Sequence, residues 1–221
     1  MLTLIFAPQP PGPQPEFINM GLVLQDLYPA LNAGGAADLV FWTQAELYEY
    51  VDEAAERLAR TCGVFVQRNT TIVTEVDLGA YSLPPTQIAT IQADLAGLVL
   101  QPRTVAELEA FDSSWPNTVG PPVSFVQNVQ GLAGIVVYPA CDSNNGGKTL
   151  GLVLTVFPPT ISLTAATLNA PTCVREYFTF RALEAARGKQ SKAEMPDVAA
   201  WMGKQAGMLE QVMTELWGAA Q

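Results

Sequence analysis

The chain is predicted to be an α+β protein: a discontinuous α-helical bundle built from N-terminal and C-terminal helices, with an antiparallel β-sandwich or barrel-like domain inserted between them in sequence. Three observations predict this class. Between Thr43 and Gly63 a capped apolar stripe recurs at spacings of three and four. From Val64 the rhythm changes to two, in short β-branched runs broken by Gly and Pro. Past Pro158-Pro159 the helical rhythm returns. The divisions expected from these shifts are an extended Pro-rich arm over residues 1–18, a helical bundle domain of 19–63 plus 172–217, and a β-rich insertion domain of 64–160.

Taken in order, residues 1–18 hold five prolines between Pro8 and Pro15, a density that imposes extended backbone and forbids a helix. Leu2, Leu4 and Phe6 alternate with Thr3 and Ile5, as a short strand would. Two readings stand: a disordered tail, or an arm whose Leu2–Phe6 segment lies against a neighbouring subunit or another protein. Asn19 is placed to cap a short helix carrying Leu24, Leu27, Tyr28 and Leu31, which Pro29 kinks or ends. After a turn over residues 32–36 comes the best-signalled helix. Thr43 and Glu46 have capping-box spacing, the hydroxyl reaching forward and the carboxylate reaching back. Leu47, Val51, Ala54, Leu58 and Cys62 form its stripe, Glu53–Arg57 and Glu56–Arg60 are expected i,i+4 pairs, and Gly63 ends it.

The inserted region is expected to hold strands near Val64–Val76, Ala80–Leu83, Ile88–Leu95, Leu98–Leu100, Val123–Val129, Ile135–Tyr138 and Leu150–Phe157. Gly97 joins two of them. Asn144-Asn145-Gly146-Gly147 is expected to turn a hairpin between the last two. Thr104 with Glu107 is a second capping box, for a short helix holding Val105, Leu108 and Phe111. Thr172 is placed to cap a helix ending at Gly188. That helix is apolar on more than one side, through Val174, Tyr177, Phe178, Phe180, Ala182 and Leu183, so it is expected to lie between two partners. Pro196 suits the first turn of the last helix. There Trp201 and Trp217 are expected as core or interface anchors, and the Met stripe as core filler.

Composition excludes several functions. A net charge of −10 argues against a protein that grips nucleic acid by neutralising phosphate, but not against one that lets DNA slide past. The absence of histidine removes the commonest general base and metal ligand together. Cys62, Cys141 and Cys173 are an odd, scattered set without C-x-x-C spacing, which suits free thiols in a chain made in the cytosol. The N-terminus lacks a basic region and a cleavage site, and is too short to span a bilayer.

Candidate reactive groups are read against their ordinary structural roles. Glu46, Glu49, Asp52, Glu53 and Glu56 spread around the outer faces of one helix and read as a solvated surface. Cys173 lies near a helix start but has no base, and reads as a buried thiol. Ser113-Ser114 also lack a base. Gly146-Gly147-Lys148-Thr149 imitates the end of a phosphate loop without its upstream glycine or its strand–helix context. No catalytic, cofactor-binding or metal residue is assigned, no cofactor is expected, and the chain is not expected to be an enzyme.

One set of landmarks points to a family. Asp38–Val66 (DLVFWTQAELYEYVDEAAERLARTCGVFV), Tyr81-Ser82-Leu83-Pro84, the Val105–Leu108 turn followed by Trp115-Pro116, Ile135–Pro139 (IVVYP), Phe157-Pro158-Pro159 and the closing helix pair occur in this order. In order and spacing, over roughly residues 20–217, the chain resembles bacteriophage head-to-tail adaptors, the connector or neck proteins similar to tail tubular protein A. The resemblance implies a helical bundle bearing a β domain, and a structural virion protein. It implies a twelve-subunit ring of identical copies between the portal protein and the tail nozzle, tail-tube or fibre protein. Double-stranded DNA would pass non-specifically through the channel, with no membrane partner. The other readings weighed are a fibre or receptor-binding attachment module of the tail, and a carbohydrate-directed accessory in which exposed Trp42 or Trp115 would stack on sugar.

Overall fold

Each expected helix and most expected strands form, for the reasons the sequence suggests. The protein is described by a computed structural model for residues 17–31, 33–35, 37, 39–127, 134–161, 167–189 and 195–217. In chain order the elements are β1 (Phe17–Asn19), α1 (Met20–Ala30), α2 (Gln44–Cys62), β2 (Val66–Val73), β3 (Ala80–Ser82), β4 (Gln87–Leu95), β5 (Leu98–Pro102), α3 (Val105–Phe111), β6 (Val119–Gly120), β7 (Ser124–Gln127), β8 (Gly134–Tyr138), β9 (Ala140–Cys141), β10 (Thr149–Val156), β11 (Thr167–Asn169), α4 (Arg175–Gly188) and α5 (Pro196–Trp217). The class is mixed α+β, with N- and C-terminal helices packed together and a nearly closed, barrel-like sheet inserted in the chain between them.

The chain divides into two units. One takes the described residues up to Arg57 together with Pro159–Val212; the other takes Leu58–Pro158 and the C-terminal end from Met213. Both α2 and α5 therefore contribute to each.

In the first unit, the Asn19 side chain accepts from the Gly21 amide at 2.8 Å, capping α1, which ends one residue after Pro29. Met20, Val23, Leu24 and Leu27 of α1 are buried, as are Leu47, Val51 and Ala54 of α2 and Tyr177, Phe178 and Ala182 of α4. The Thr43–Glu46 box closes in both directions: the Thr43 amide donates to Glu46 Oε2 at 2.8 Å, and the Glu46 amide to Thr43 Oγ1 at 3.2 Å. α4 does lie between partners. It packs on α1 and meets α5 through an edge-to-face Phe180–Trp201 pair with centroids 6.3 Å apart. Its start differs from expectation. Thr172 opens a 3-10 turn, Thr172–Val174, with no side-chain cap, and α4 follows from Arg175. Of the expected arm, residues 1–16 lie outside the described residues, whereas Phe17–Asn19 form β1 and pair antiparallel with β11.

In the second unit the strands run β2-β10-β4-β5-β7-β8-β3 in one seven-stranded sheet. β10 sits between β2 and β4 and is buried on both faces through Leu150, Leu152 and Leu154 with Gly151 and Val156, which explains its near-continuous apolar run. The two ends of the sheet approach each other through Tyr81 of β3. Its hydroxyl accepts from the Glu75 amide just past β2 at 3.1 Å and donates to the Leu78 carbonyl at 2.8 Å. β4 and β5 make the expected hairpin, with Ala96 at φ 51° and Gly97 at φ 88°, the positive angles that a two-residue primed turn requires.

Two expectations about the sheet are corrected. β8 and β10 are not hairpin partners; the Asn144–Gly147 turn instead leads from β9, which pairs with β6, into β10. The turn docks on the end of β2, the Gly147 amide donating to the Thr74 carbonyl at 2.7 Å. Nor is the sheet wholly antiparallel, because β5 and β7 are parallel. A parallel pair needs a long crossover, and α3 with the Trp115–Asn117 turn supplies it. Leu108 and Trp115 of that crossover pack with Val126 and Tyr138.

Candidate functional site

Among the described residues several candidate reactive groups are held in local structural bonds. Glu46 is bonded to Thr43 and to the Lys189 ammonium, and these bonds, Lys189 first, hold its carboxyl below the ordinary carboxylate value while raising Lys189. The Asp52 carboxylate accepts from the Ile161 amide at 2.7 Å. Glu49, Glu53 and Glu56 are exposed. The Ser114 hydroxyl donates to Asp112 at 2.7 Å and Lys148 donates to Asn145 Oδ1 at 2.7 Å. Among the described residues no group of three or more His, Cys, Asp or Glu is placed to hold a metal ion. Among the described residues no helix is long and apolar enough to cross a membrane.

Three residue expectations change. Cys173 is exposed, not buried, because the 3-10 turn carries it outside the packed face of α4, while Cys62 and Cys141 are buried. Trp42 and Trp115 are only 4% and 8% exposed, which removes both as sugar-stacking platforms. Trp42 instead donates its indole N–H to the Ala186 carbonyl at 2.9 Å and lies under the Arg187 guanidinium. Finally, Arg57 pairs with Glu210 of α5 at 3.1 Å, not with Glu53 one turn earlier.

That last change belongs to a charged network joining α2, α4 and α5 in the first unit. Arg181 donates to Glu210 at 2.6 Å and to Glu184 at 2.7 Å, and Arg181 and Glu210 are both largely withdrawn from water. Arg181 also lies over the ring of Tyr177, whose hydroxyl is pushed up to about 12 by burial first and the Glu210 charge second. A cavity of about 270 Å³ opens beside the network, lined by Tyr50, Glu53, Ala54, Arg57, Arg181, Glu184 and Ala185. Its charges compensate one another, so it selects neither anion nor cation. Pair counting along one helix missed this network, since its members are far apart in sequence. The available signal was an arginine set among Tyr177, Phe178, Phe180 and Ala182.

What the molecule does present is apolar surface. Val198, Trp201, Met208 and Val212 of α5 are exposed, which corrects the expectation that Met208 fills the core; Met213 is buried as expected. A solvated run of large apolar side chains on one helix is an interaction surface more than a catalytic one.

Compared with known families, residues 23–220 match the family model described as SU10 adaptor protein. Among curated proteins none matches the chain.

Proposed function

Because this chain belongs to the SU10 adaptor protein family, whose members are structural adaptors of the phage particle, we propose that it is a head-to-tail adaptor. In this reading identical copies close a ring of twelve between the portal and the tail nozzle, tail-tube or fibre protein, and the genome passes through its channel in the virion neck. The observation that carries the proposal is the extent of the family match, which runs through α2, the inserted strands and both closing helices. Residues 19–63 with 172–217 would form the helical domain of each subunit, and 64–160 the β-rich domain. The net charge of −10 fits a channel that DNA traverses without adhering, since phosphates meet no excess of cations. Exposed apolar side chains on α5 fit a subunit that finishes burying its surface only when assembled. A reconstruction of the intact particle tests the reading. Density for this fold is expected in a closed ring at the portal vertex; density at a fibre, or none in the particle, would overturn it.

A further inference from the structure

The Asn144–Gly147 turn carries chemistry that the adaptor reading does not use. Asn145 is followed by Gly146, whose backbone nitrogen has no Cβ beside it and can therefore reach the asparagine side-chain carbonyl carbon. The fold does not allow another residue there. A Cβ at position 146 would lie 2.5 Å from Val76 Cγ2 and 3.0 Å from the Val76 nitrogen. The close approach of the turn to Val76 thus imposes a reactive pair. The native turn in turn holds both reacting groups. Asn145 Nδ2 donates to Asp142 Oδ1 at 2.7 Å, and Asn145 Oδ1 accepts from Lys148 Nζ at 2.7 Å. The Gly146 amide, which must lose its proton before it can attack, donates to the Asp142 carbonyl at 2.9 Å. The main-chain carbonyl of Asn145, between the two reacting atoms, accepts from the buried Thr74 hydroxyl at 2.7 Å. Ring closure needs the carbon and the nitrogen aligned at roughly 3–3.5 Å, so these bonds must loosen first.

From this geometry we infer that Asn145 is a latent deamidation site, closed by Asp142 and Lys148 and opened by local release of the turn. In the released turn the deprotonated Gly146 nitrogen adds to Asn145 Cγ. A Cγ–N bond forms and the Cγ–Nδ2 bond breaks. Ammonia leaves, taking a solvent proton in place of the one the Gly146 nitrogen gave up. Water then opens the five-membered imide at either carbonyl, giving aspartate, or isoaspartate with the main chain routed through the side chain. Nothing is oxidised or reduced. Either product loses the Nδ2 donor and adds a negative charge beside Asp142, so the turn recloses less readily. The bonds then at stake are those that dock the turn on the end of β2: the Gly147 amide to the Thr74 carbonyl at 2.7 Å, and the Thr74 amide to the Lys148 carbonyl at 2.9 Å.

The test incubates the full chain in mildly alkaline buffer, native and urea-unfolded, and follows each asparagine by peptide mapping with mass spectrometry, isoaspartate being separated from aspartate by chromatography. In the unfolded chain Asn145 should convert faster than the other asparagines. In the native chain its conversion should be slower by about tenfold or more, because it waits on local opening. Asp142→Ala and Lys148→Met should each raise the native rate by about three- to tenfold, the effect of losing one such hydrogen bond, and leave the unfolded rate unchanged. Equal rates in the native and unfolded chain, or a faster native rate, would overturn the inference. So would a Lys148→Met chain that converts like the wild type or more slowly; in the slower case Lys148 would be polarising the Oδ1 carbonyl instead of holding it. An Asn145 that survives unfolding while other asparagines convert overturns it as well. The wild-type comparison needs no substitution, so it decides the matter even where a variant folds poorly.

Discussion

Asp112 shows how much one short side chain can hold in this fold. It accepts from the Thr118 hydroxyl at 2.6 Å, from the Ser114 hydroxyl and amide at 2.7 and 2.9 Å, and from the Tyr138 hydroxyl at 3.0 Å, tying the end of α3 to the strand that closes its core. These bonds, Thr118 first, hold its carboxyl down at about 2. A carboxyl with a depressed native value contributes stability that is whole above its unfolded value and is lost as pH falls through the native one. The thermal midpoint should therefore fall between about pH 4 and pH 2, and Asp112→Asn should flatten that part of the profile; calorimetry across the range reads both. Glu210 likewise holds more than one partner, accepting from both Arg57 and Arg181. Removing its charge leaves the withdrawn Arg181 with Glu184 alone, so Glu210→Gln should cost about 2–3 kcal/mol in urea unfolding. The Arg57 arm of the same network is solvated and should matter little, Arg57→Gln lying within about 1 kcal/mol of wild type.

At the scale of elements, local chemistry was legible in the sequence and partner choice was not. Both capping boxes close as their spacing requires, and Thr104→Ala should cost about 1 kcal/mol by removing the acceptor of the Glu107 amide at 3.2 Å. Chemical denaturation measures that loss, and hydrogen exchange should show α3 opening before β10. The stripe of α2 is buried in full, because a period of three and four states which face must leave water. The Asn144–Gly147 turn was legible as a turn, yet its residues say only that the chain reverses, not which strand it rejoins. The parallel β5–β7 seam was hidden for the same reason: strand pairing across a crossover depends on distant residues. β1 and β11 have three residues each, too few for a rhythm to register. On α5 the sequence showed an apolar face, but periodicity does not distinguish a buried face from an exposed one.

At the scale of the whole molecule, charge and apolar surface pull in different directions. The chain carries −10, so copies repel one another at long range, whereas exposed apolar side chains such as Trp201 and Met208 exert no force at that distance. Raising salt from about 20 mM to about 500 mM should therefore increase self-association, as sedimentation would show, whereas an assembly held by ion pairs would weaken. The division of the chain has a consequence for its synthesis. α1 and α2 emerge from the ribosome first, but the helices that cover them, α4 and α5, are translated last, and β2 must likewise wait for β10. A polypeptide cut short before Arg175 would leave α1 without the helix it packs on and would possess no α5 at all. The interleaving of early and late segments thus ties the burial of the first helices to the translation of the last.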